Sequence, residues 1–569
     1  MTEASNSTAR TLGVIMLCAP VLSAVGGRAL AQATNNPSFS GPALSLNLPQ
    51  SALSGAAPFG SAVRLGALPD PFAALAGTNS LAPLPSGLEV IPSIAASEQV
   101  IIGGFPKYLG INSEFVTSLT PGIRVVGVAP IGRINFNYQP SFDFYARERG
   151  DSGISQSLDG SFSTNLIPGR LTLNASAYLT QQATAGGFTP GGTAAIGPNA
   201  RTTTQSYLIS PTYQQNFIDL GRLNVVLSTQ YTSQSGRSAA ITGRQQSYFV
   251  STDVVTQSGR LRFTTVPLMA DIDDRVQVNA AHDTGTGVLN GSSQIRAEDQ
   301  IRYAFRPRDL FIISAGYEDL RYRGIPPVHI SDAIWSVGVQ LHPRHRVEII
   351  LAYRHRYGFN APYLRATLQL TARTSLAVSY VETLETQAQS IAANLAGSTI
   401  NFGGQVVGGT GQLPILLTNN SFSVQSGLFR NRQFSIATNT EWSRDALSLS
   451  FMRMNETLVA NAPGTAGFSQ KGLSASANFS HQLTPNASIA AYFDYSTINS
   501  PLVRTVSNGR QKPIYAGALT GRYQLAHEIM LDLQLAVTNS LLSGFNNSSG
   551  VAGGGGVQTS ITFGIQKVF

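Results

Sequence analysis

Apolar and polar residues alternate in short stretches along most of the chain, beginning near residue 98. In the clearest stretch, one face would carry Leu531, Leu533, Leu535 and Val537. The other face would carry Asp532, Gln534, Ala536 and Thr538. The same alternation recurs at residues 171–180, 223–227, 364–370 and 489–495. A period of two residues with one apolar and one polar face predicts half-buried β-strands.

Very short turns separate these strands and alternate with longer connections rich in Gly, Ser and Asn. Ten tight turns are predicted near residues 130–132, 168–169, 219–221, 258–259, 307–309, 343–345, 372–374, 444–445, 485–486 and 527–528. Alternation of short turns with long loops is typical of transmembrane barrels, whose short turns face the periplasm. Ten hairpins account for twenty strands.

Two further strands are needed to complete this topology. The chain ends in an alternating stretch from 557 to 569, which must descend to a periplasmic C-terminus. The strand at 115–128 also descends into the first tight turn, so an ascending strand must precede it, and Gln99–Tyr108 is the candidate. We therefore predict an all-β fold, a transmembrane antiparallel β-barrel of about 22 strands, within a range of about 20–24.

Soluble β-folds are the structural alternative. A sandwich rarely needs so many strands in one domain, and a β-helix would show a short fixed repeat, which this sequence lacks. A closed barrel also leaves no unpaired strand edge in lipid. The barrel is the consistent interpretation.

The amino-acid composition agrees with a barrel wall that has one face in lipid and the other in water. Charged residues make up 12% of the chain, about half of the roughly 25% of an average soluble domain. Outside the N-terminal region, the sequence has no apolar run of the roughly 18 residues that a membrane helix needs. A helical bundle in the inner membrane is therefore excluded.

The N-terminal region predicts export. Arg10 precedes an apolar stretch at 12–25, and Ala29-Leu30-Ala31 is a small-residue cleavage site, so residues 1–31 form a secretory signal peptide. Cys18 would leave with it, and the mature chain would have no disulfide or thiolate metal site. Residues 32–97, rich in Pro, Ala, Ser and Gly, predict a disordered periplasmic segment or a small plug, and residues 98–569 the outer-membrane barrel.

The last strand carries an assembly signal. Its apolar positions are Ile561, Phe563 and Ile565, and the chain stops on Phe569. This pattern resembles the terminal signature that the outer-membrane barrel-assembly machinery recognises, although Lys567 stands where an apolar residue is usual. It predicts the assembly machinery and outer-membrane lipid as partners.

The net charge of +8 comes from arginines scattered over hundreds of residues, which does not favour nucleic-acid binding. Candidate lumen residues lie on the polar faces of the predicted strands: Arg296, Glu298, Gln300, Arg302, Glu348, Arg354, Arg356, Arg365, Gln369 and Asp532. One interpretation is a cationic track that guides an anionic solute or polymer. The other is a ladder of Arg–carboxylate pairs that braces the wall.

Catalytic and metal sites are not predicted. Among the seven histidines, four lie in or close to predicted tight turns; His282, His329 and His355 remain, and no recognisable Ser or acidic motif surrounds them. The pair His342 and His345 lies in a turn without carboxylate neighbours. The glycines at 553–556 lack the ending of a phosphate-binding loop. We expect no enzyme activity, metal or cofactor.

Three segments resemble a known family: Leu119–Arg124, Asn135–Tyr138 with Asp143–Tyr145, and Arg344–Asn360. They look like the outer-membrane β-barrels associated with PEP-CTERM/exosortase loci, which are similar in turn to the beta-barrel porin 2 group. The resemblance implies a link to exopolysaccharide export and its components, and it brings no catalytic residues. The long proline-rich N-terminal segment departs from the family.

Three functional hypotheses follow. The first is a porin-like channel that passes anionic solutes or assists exopolysaccharide export. The second is a structural or assembly barrel of the envelope with a filled lumen, and the third is a barrel hydrolase. A TonB-dependent receptor also has 22 strands, but its plug domain needs roughly twice the residues available before residue 98.

Overall fold

Strands make up nearly all of the regular structure, as the alternating pattern predicts. The computed structural model describes residues 87–103, 113–129, 132–147, 149–183, 201–236, 251–266, 271–344, 347–390, 398–400, 406–408, 425–499, 501, 513–526, 528–540 and 556–569. The predicted signal peptide and residues 32–86 of the predicted N-terminal segment lie outside the described residues, as do Tyr108, His345, His527 and Gly553. No helix among the described residues is long and apolar enough to cross a membrane.

A single antiparallel sheet of 22 strands forms the barrel. Its first half comprises β1 (Gly87–Gly103), β2 (Ser113–Ala129), β3 (Gly132–Tyr145), β4 (Gly153–Ile167), β5 (Leu171–Ala183), β6 (Arg201–Phe217), β7 (Gly221–Gly236), β8 (Thr252–Thr265), β9 (Ile272–Gly285), β10 (Ser293–Arg306) and β11 (Asp309–Tyr322). Its second half comprises β12 (Val328–Arg344), β13 (Val347–Arg356), β14 (Phe359–Gln369), β15 (Thr374–Thr386), β18 (Gly427–Glu441), β19 (Asp445–Asn461), β20 (Gln470–Thr484), β21 (Ala487–Asn499), β22 (Pro513–Ala526), β23 (Ile529–Ser540) and β24 (Gly556–Val568). A small separate hairpin, β16 (Ser398–Ile400) and β17 (Val406–Gly408), lies between β15 and β18.

The barrel closes where its first and last strands pair. β1 pairs with β24 from Ser93 opposite Val568 to Gly103 opposite Gln558. The Phe569 amide donates to the Pro92 carbonyl at 2.9 Å, which extends this seam to the end of the chain. The predicted closed barrel of 22 strands is thus confirmed.

The first strand begins earlier than the sequence predicted. β1 starts at Gly87, so the boundary at residue 98 and the strand at Gln99–Tyr108 were both placed too late. Pro92, with small residues after it, broke the alternation that identified the other strands. Pairing with β2 along almost the whole strand compensates for this weak local pattern.

Nine of the ten predicted turns fall between successive strands, but the turn at Ser258–Gly259 is wrong. These two residues lie inside β8, opposite Ser228 and Leu227 of β7. A Cβ on Gly259 would lie 3.5 Å from Leu227 Cδ2, which is an ordinary van der Waals contact. The strand therefore does not require a glycine at this position. The remaining short connection joins β8 to β9, between Thr265 and Ile272.

The two faces of the wall differ as the alternation predicts. Large apolar side chains are exposed on the outer face, for example Leu533, Leu535 and Phe563 at 56%, 46% and 52%. The inner face carries buried polar groups, among them Ser314 and Gln340. An apolar exterior around a closed antiparallel sheet is the arrangement of a transmembrane β-barrel.

Candidate functional site in the barrel lumen

The inner face of β10 carries the first group of predicted lumen residues. Arg296, Glu298, Gln300 and Arg302 alternate along this face. Arg296 and Arg302 are only 7% and 8% exposed, so most of each side chain is covered by its neighbours.

Neighbouring strands extend this surface with three arginines that the sequence analysis missed: Arg260 and Arg262 on β8, and Arg275 on β9. Together with Arg296 and Arg302 they form what we call the arginine wall. In the register of β8, β9 and β10, Asn279 lies between Arg260 and Arg296, and Gln277 lies between Arg262 and Glu298. The misplaced turn at Ser258–Gly259 hid the alternation of Arg260 and Arg262 within β8.

Only part of the arginine wall is neutralised by carboxylates. Arg302 forms a bidentate pair with Asp273, with Nε–Oδ1 and Nη2–Oδ2 distances of 2.5 and 2.6 Å. Arg296 Nε lies 3.8 Å from Glu298 Oε2. The Arg302–Asp273 pair joins two strands and has the geometry of the bracing ladder, whereas Arg296 and Glu298 lie on the same strand.

Two further arginines of the wall donate to neutral amides. Arg260 Nε donates to Asn279 Oδ1 at 3.1 Å, and Arg262 Nε donates to Gln277 Oε1 at 3.2 Å. Arg275 Nε is buried and has no hydrogen-bond partner among the described residues. The described inner faces of β8, β9 and β10 hold five arginines against three carboxylates, Asp273, Asp283 and Glu298. This surface is therefore net positive.

A second basic group lies on the inner face of β13. Arg356 Nε is 3.7 Å from Glu318 Oε2 of β11. Glu318 stands opposite Arg296 in the register, so a buried carboxylate lies between the arginine wall and Arg356. Arg354 Nη2 donates to the Glu382 carbonyl at 3.0 Å.

The remaining predicted lumen residues are spread around the wall. Glu348 accepts from Gln340 Nε2 at 3.0 Å, so it is not the partner of Arg354 or Arg356. Arg365 lies in β14 opposite Ser379, and Gln369 Nε2 donates to the Ala372 carbonyl at 3.4 Å. Asp532 pairs with Arg522 at 3.0 Å on strands far from the arginine wall. The candidates therefore do not form one compact site.

The wall splits at the end of the barrel that carries the long connections, which we call the loop end. β14 pairs with β15 only from Leu364–Gln369, although β15 continues to pair with β18 up to Thr386. Above the split, the Arg430 guanidinium lies 3.8 Å from the ring centroid of Phe359. The loop ends of β15 and β18 therefore lie against the inner side of the short β13–β14 hairpin.

An apolar cluster joins opposite sides of the barrel at this end. This mouth cluster consists of Val254, Val288, Leu289, Leu320, Tyr322, Tyr357, Leu384, Leu428, Ala460 and Ala462. Its members come from β8, β11, β15, β18, β19 and three connections, including the 3₁₀ turn Gly287–Leu289. Their packing narrows the lumen at the loop end.

A backbone bridge reinforces this arrangement. Ile325, between β11 and β12, pairs with Asn461 at the end of β19, and each amide donates to the other carbonyl at 2.9 Å. The bridge crosses above β13 and β14, whose connection is the two-residue turn Tyr357–Gly358. Both turn residues have positive φ, at 58° and 71°, as a tight hairpin turn requires.

The candidate histidines lie apart from one another. His329 contacts Asp319 at 3.1 Å. His355 contacts Asp332 at 2.9 Å and Asn360 at 2.6 Å, and its ring stacks on Trp335. Among the described residues, no group of three or more His, Cys, Asp or Glu side chains is placed to hold a metal ion.

The predicted assembly signal lies on the closing strand. Ile561, Phe563 and Ile565 are 43%, 52% and 43% exposed on the outer face of β24, and Phe569 is 61% exposed. The Lys567 ammonium lies 4.7 Å from the centroid of the Phe569 ring. A lysine in the usual apolar position is thus accommodated beside the terminal aromatic ring.

No protein-family model and no curated protein sequence matches the chain. Solved structures similar in fold include the FrpB iron transporter of Neisseria meningitidis, with 10% identity, a TM-score of 0.46, and coverage of 84% of this chain and 81% of that one. The siderophore receptor PirA of Acinetobacter baumannii shows 9% identity and a TM-score of 0.44, with coverage of 85% and 81%. The ferric-catecholate import receptor Fiu of E. coli K12 shows 11% identity and a TM-score of 0.44, with coverage of 84% and 81%.

Proposed function

We propose that the protein is an outer-membrane channel whose lumen favours anionic solutes. The observation that carries this proposal is the arginine wall, in which five arginines face three carboxylates on the inner faces of the described β8, β9 and β10. A net positive surface in a confined lumen raises the local concentration of anions and speeds their entry. The bracing interpretation explains Arg302, which has a bidentate carboxylate partner, better than it explains Arg275.

Ion selectivity in a planar bilayer tests the proposal. In a KCl gradient we expect the full-length protein to conduct. The sign of its reversal potential should show that chloride is more permeant than potassium. The double variant Arg260→Gln, Arg275→Gln should move the chloride-to-potassium permeability ratio towards one, because it removes two inner-face charges and keeps similar side-chain volume. Arg453→Gln on the outer face of β19 is the matched control and should leave the ratio unchanged. Cation-selective current, or an unchanged ratio in the double variant, would contradict the proposal.

Exopolysaccharide export is the finer form of this proposal, because an acidic polysaccharide carries the same charge as a small anion. A soluble polyuronate added to one side of the bilayer distinguishes the two. Voltage-dependent block of the chloride current by the polymer would support passage of a polysaccharide. Chloride current that the polymer never blocks would limit the cargo to small anions.

A structural barrel with a closed lumen is the second candidate function, and the mouth cluster favours it. Replacing Leu384 and Leu428 with Ser should loosen the cluster, because buried hydroxyls without partners are unfavourable there. If the wild-type protein and this variant both remain silent in the bilayer, the structural function is favoured over the channel. Current that appears or increases in the variant would identify the mouth cluster as a closure of a real channel.

A further inference from the structure

Two glutamates near the loop end are buried without a cationic partner. Glu385 on β15 and Glu456 on β19 are 3% and 2% exposed. Asn431 lies between them, since it contacts Glu385 and stands opposite Glu456, and neither glutamate forms a salt bridge among the described residues. The arginines of this part of the sheet, Arg430 and Arg432, contact Glu382 instead, at 2.8 and 3.2 Å.

The register explains why the arginines do not reach the two glutamates. Glu382 stands opposite Arg432, whereas Glu385 stands opposite Phe429 and so lies on the other face of the sheet. On that face, Asn431 of β18 stands opposite Glu456. Neutral side chains therefore surround both carboxylates.

Hydrogen bonds engage only part of these carboxylates. Glu385 Oε1 accepts from Thr383 Oγ1 at 2.9 Å and from Asn431 Nδ2 at 3.5 Å. The amides of Gln387 and Gln470 both donate to Glu456 Oε2, at 3.2 and 2.6 Å. These bonds orient the two carboxylates without neutralising them.

Two buried oxygens nearby accept no hydrogen bond. Glu385 Oε2 and Asn431 Oδ1 have no partner among the described residues, and Asn431 is 5% exposed. Buried polar atoms are nearly always satisfied, and a buried charge is strongly unfavourable unless it is paired or coordinates a metal. Acceptors without donors, beside two uncompensated carboxylates, are the complement of a cation.

We propose that Glu385, Glu456 and Asn431 bind a calcium ion. All the available atoms are carboxylate or amide oxygens, which suit a hard cation, and nitrogen or sulfur ligands that would favour zinc are absent from this cluster among the described residues. Calcium accepts irregular sets of about 6–8 oxygens that include Asn and Gln carbonyls and water, whereas magnesium demands near-ideal octahedral geometry. The ion joins β15, β18 and β19, the strands whose loop ends contribute to the mouth cluster.

Calcium binding to the full-length protein in detergent tests the site. In equilibrium dialysis with radioactive calcium, the wild type is expected to bind one ion per chain, and its thermal unfolding temperature is expected to fall when EDTA replaces calcium. Glu385→Gln and Glu456→Gln should each lose the bound ion, because each removes a ligand charge and keeps the side-chain shape. Glu382→Gln, a change on the opposite face of the same strand, should keep it.

Other outcomes overturn the proposal. Failure of the wild type to bind calcium does so regardless of how the variants fold. Retention of the ion by both Glu→Gln variants would also overturn it. Infrared spectra of the calcium-saturated wild type give a further test. A band of protonated carboxyls that both variants lose would show that Glu385 and Glu456 are neutral acids that bind no ion. The calcium site lies on other strands than the arginine wall. The tests of ion selectivity and of calcium binding can therefore fail or succeed independently.

Discussion

At the scale of single residues, the arginines of the arginine wall differ in their partners. Arg302 pairs with a carboxylate, whereas Arg275 Nε has no hydrogen-bond partner among the described residues. The Arg302 side chain is 9% exposed and that of Asp273 is 28% exposed, and their contact is bidentate. Removing one partner from such a pair leaves the other charge poorly solvated, which costs more than the pair itself contributes. The stability of this part of the wall therefore depends on both residues.

Asp273→Asn is expected to lower the free energy of unfolding by about 3 kcal/mol. The measurement is urea-induced unfolding in lipid vesicles, followed by tryptophan fluorescence. The control is Arg321→Gln, which breaks the pair between Arg321 and Asp319, in which the Arg321 side chain is 60% exposed, and keeps the contact of Asp319 with His329. That pair contributes at most about 1 kcal/mol, because water screens it. Equal losses in the two variants would show that Arg302 is not desolvated.

Gly285 is the residue where backbone conformation matters most near the mouth. Its φ is +145°, and a Cβ there would lie 1.9 Å from the Asp253 carbonyl oxygen and 2.8 Å from Val254 Cα. Gly285→Ala must displace β8, which contributes Val254 to the mouth cluster. We expect a loss of roughly 1–3 kcal/mol in unfolding free energy.

The same urea experiment checks this effect against Gly521→Ala. A Cβ on Gly521 meets no heavy atom within 4 Å, so the change should be nearly neutral. If both alanine variants unfold at the same urea concentration, the strain at Gly285 is not real.

At the scale of elements, the important feature is the separation of β15 from β14. β15 leaves its neighbour after Tyr380, and the loop ends of β15, β18 and β19 then contribute to the mouth cluster. The Ile325–Asn461 bridge is the backbone contact that fastens β19 to the opposite connection. If the mouth cluster closes the lumen, this segment must move before the protein can conduct.

Cross-linking the bridge tests that movement. Residues paired by two backbone hydrogen bonds have Cα atoms about 5.5 Å apart, within the range that a disulfide spans. The variant Ile325→Cys, Asn461→Cys should form a disulfide under oxidation and lose conductance, and reduction should restore the current. Either single cysteine variant is the control and should conduct under both conditions. Undiminished current through the fully cross-linked protein would show that the bridge is not part of a gate.

At the scale of the whole molecule, local alternation and turn residues predicted the correct strand number, although one of the ten turns was placed inside β8 instead of between β8 and β9. Each hairpin is formed by residues close together in sequence, so the alternation within a stretch such as 531–538 is enough to identify a strand. The pattern failed where local signals were ambiguous, at Pro92 in β1 and at Ser258–Gly259 in β8. In both strands, pairing with neighbours outweighs the local preference.

The lumen was less predictable than the wall. Alternation placed Arg296 and Arg302 on one strand face, but the side chain opposite each of them depends on register, which the sequence does not state. The mouth cluster and the Ile325–Asn461 bridge could not be predicted, because both join residues that are far apart in sequence. Contacts of this kind depend on where neighbouring strands separate. Local alternation of apolar and polar residues does not predict that separation.

Orientation in the membrane is the last property that follows from the whole topology. Short connections lie at one end of the barrel and long ones at the other, and the C-terminus lies at the short-turn end beside β1. We expect the short-turn end in the periplasm and the loop end outside the cell, as in other barrels inserted by the same route. Exposed positions exist at both ends: Pro463 between β19 and β20, and Asn486 between β20 and β21.

Cysteine labelling in intact cells reads this orientation directly, since the only native cysteine, Cys18, lies in the predicted signal peptide. Pro463→Cys should react with a membrane-impermeant maleimide added to whole cells. Asn486→Cys should react only after the outer membrane is permeabilised, because its turn faces the periplasm. Both variants should label in detergent, which controls for the reactivity of each position. The reverse pattern would place the mouth cluster and the calcium site on the periplasmic side, and any closure of the lumen would then respond to the periplasm rather than to the medium.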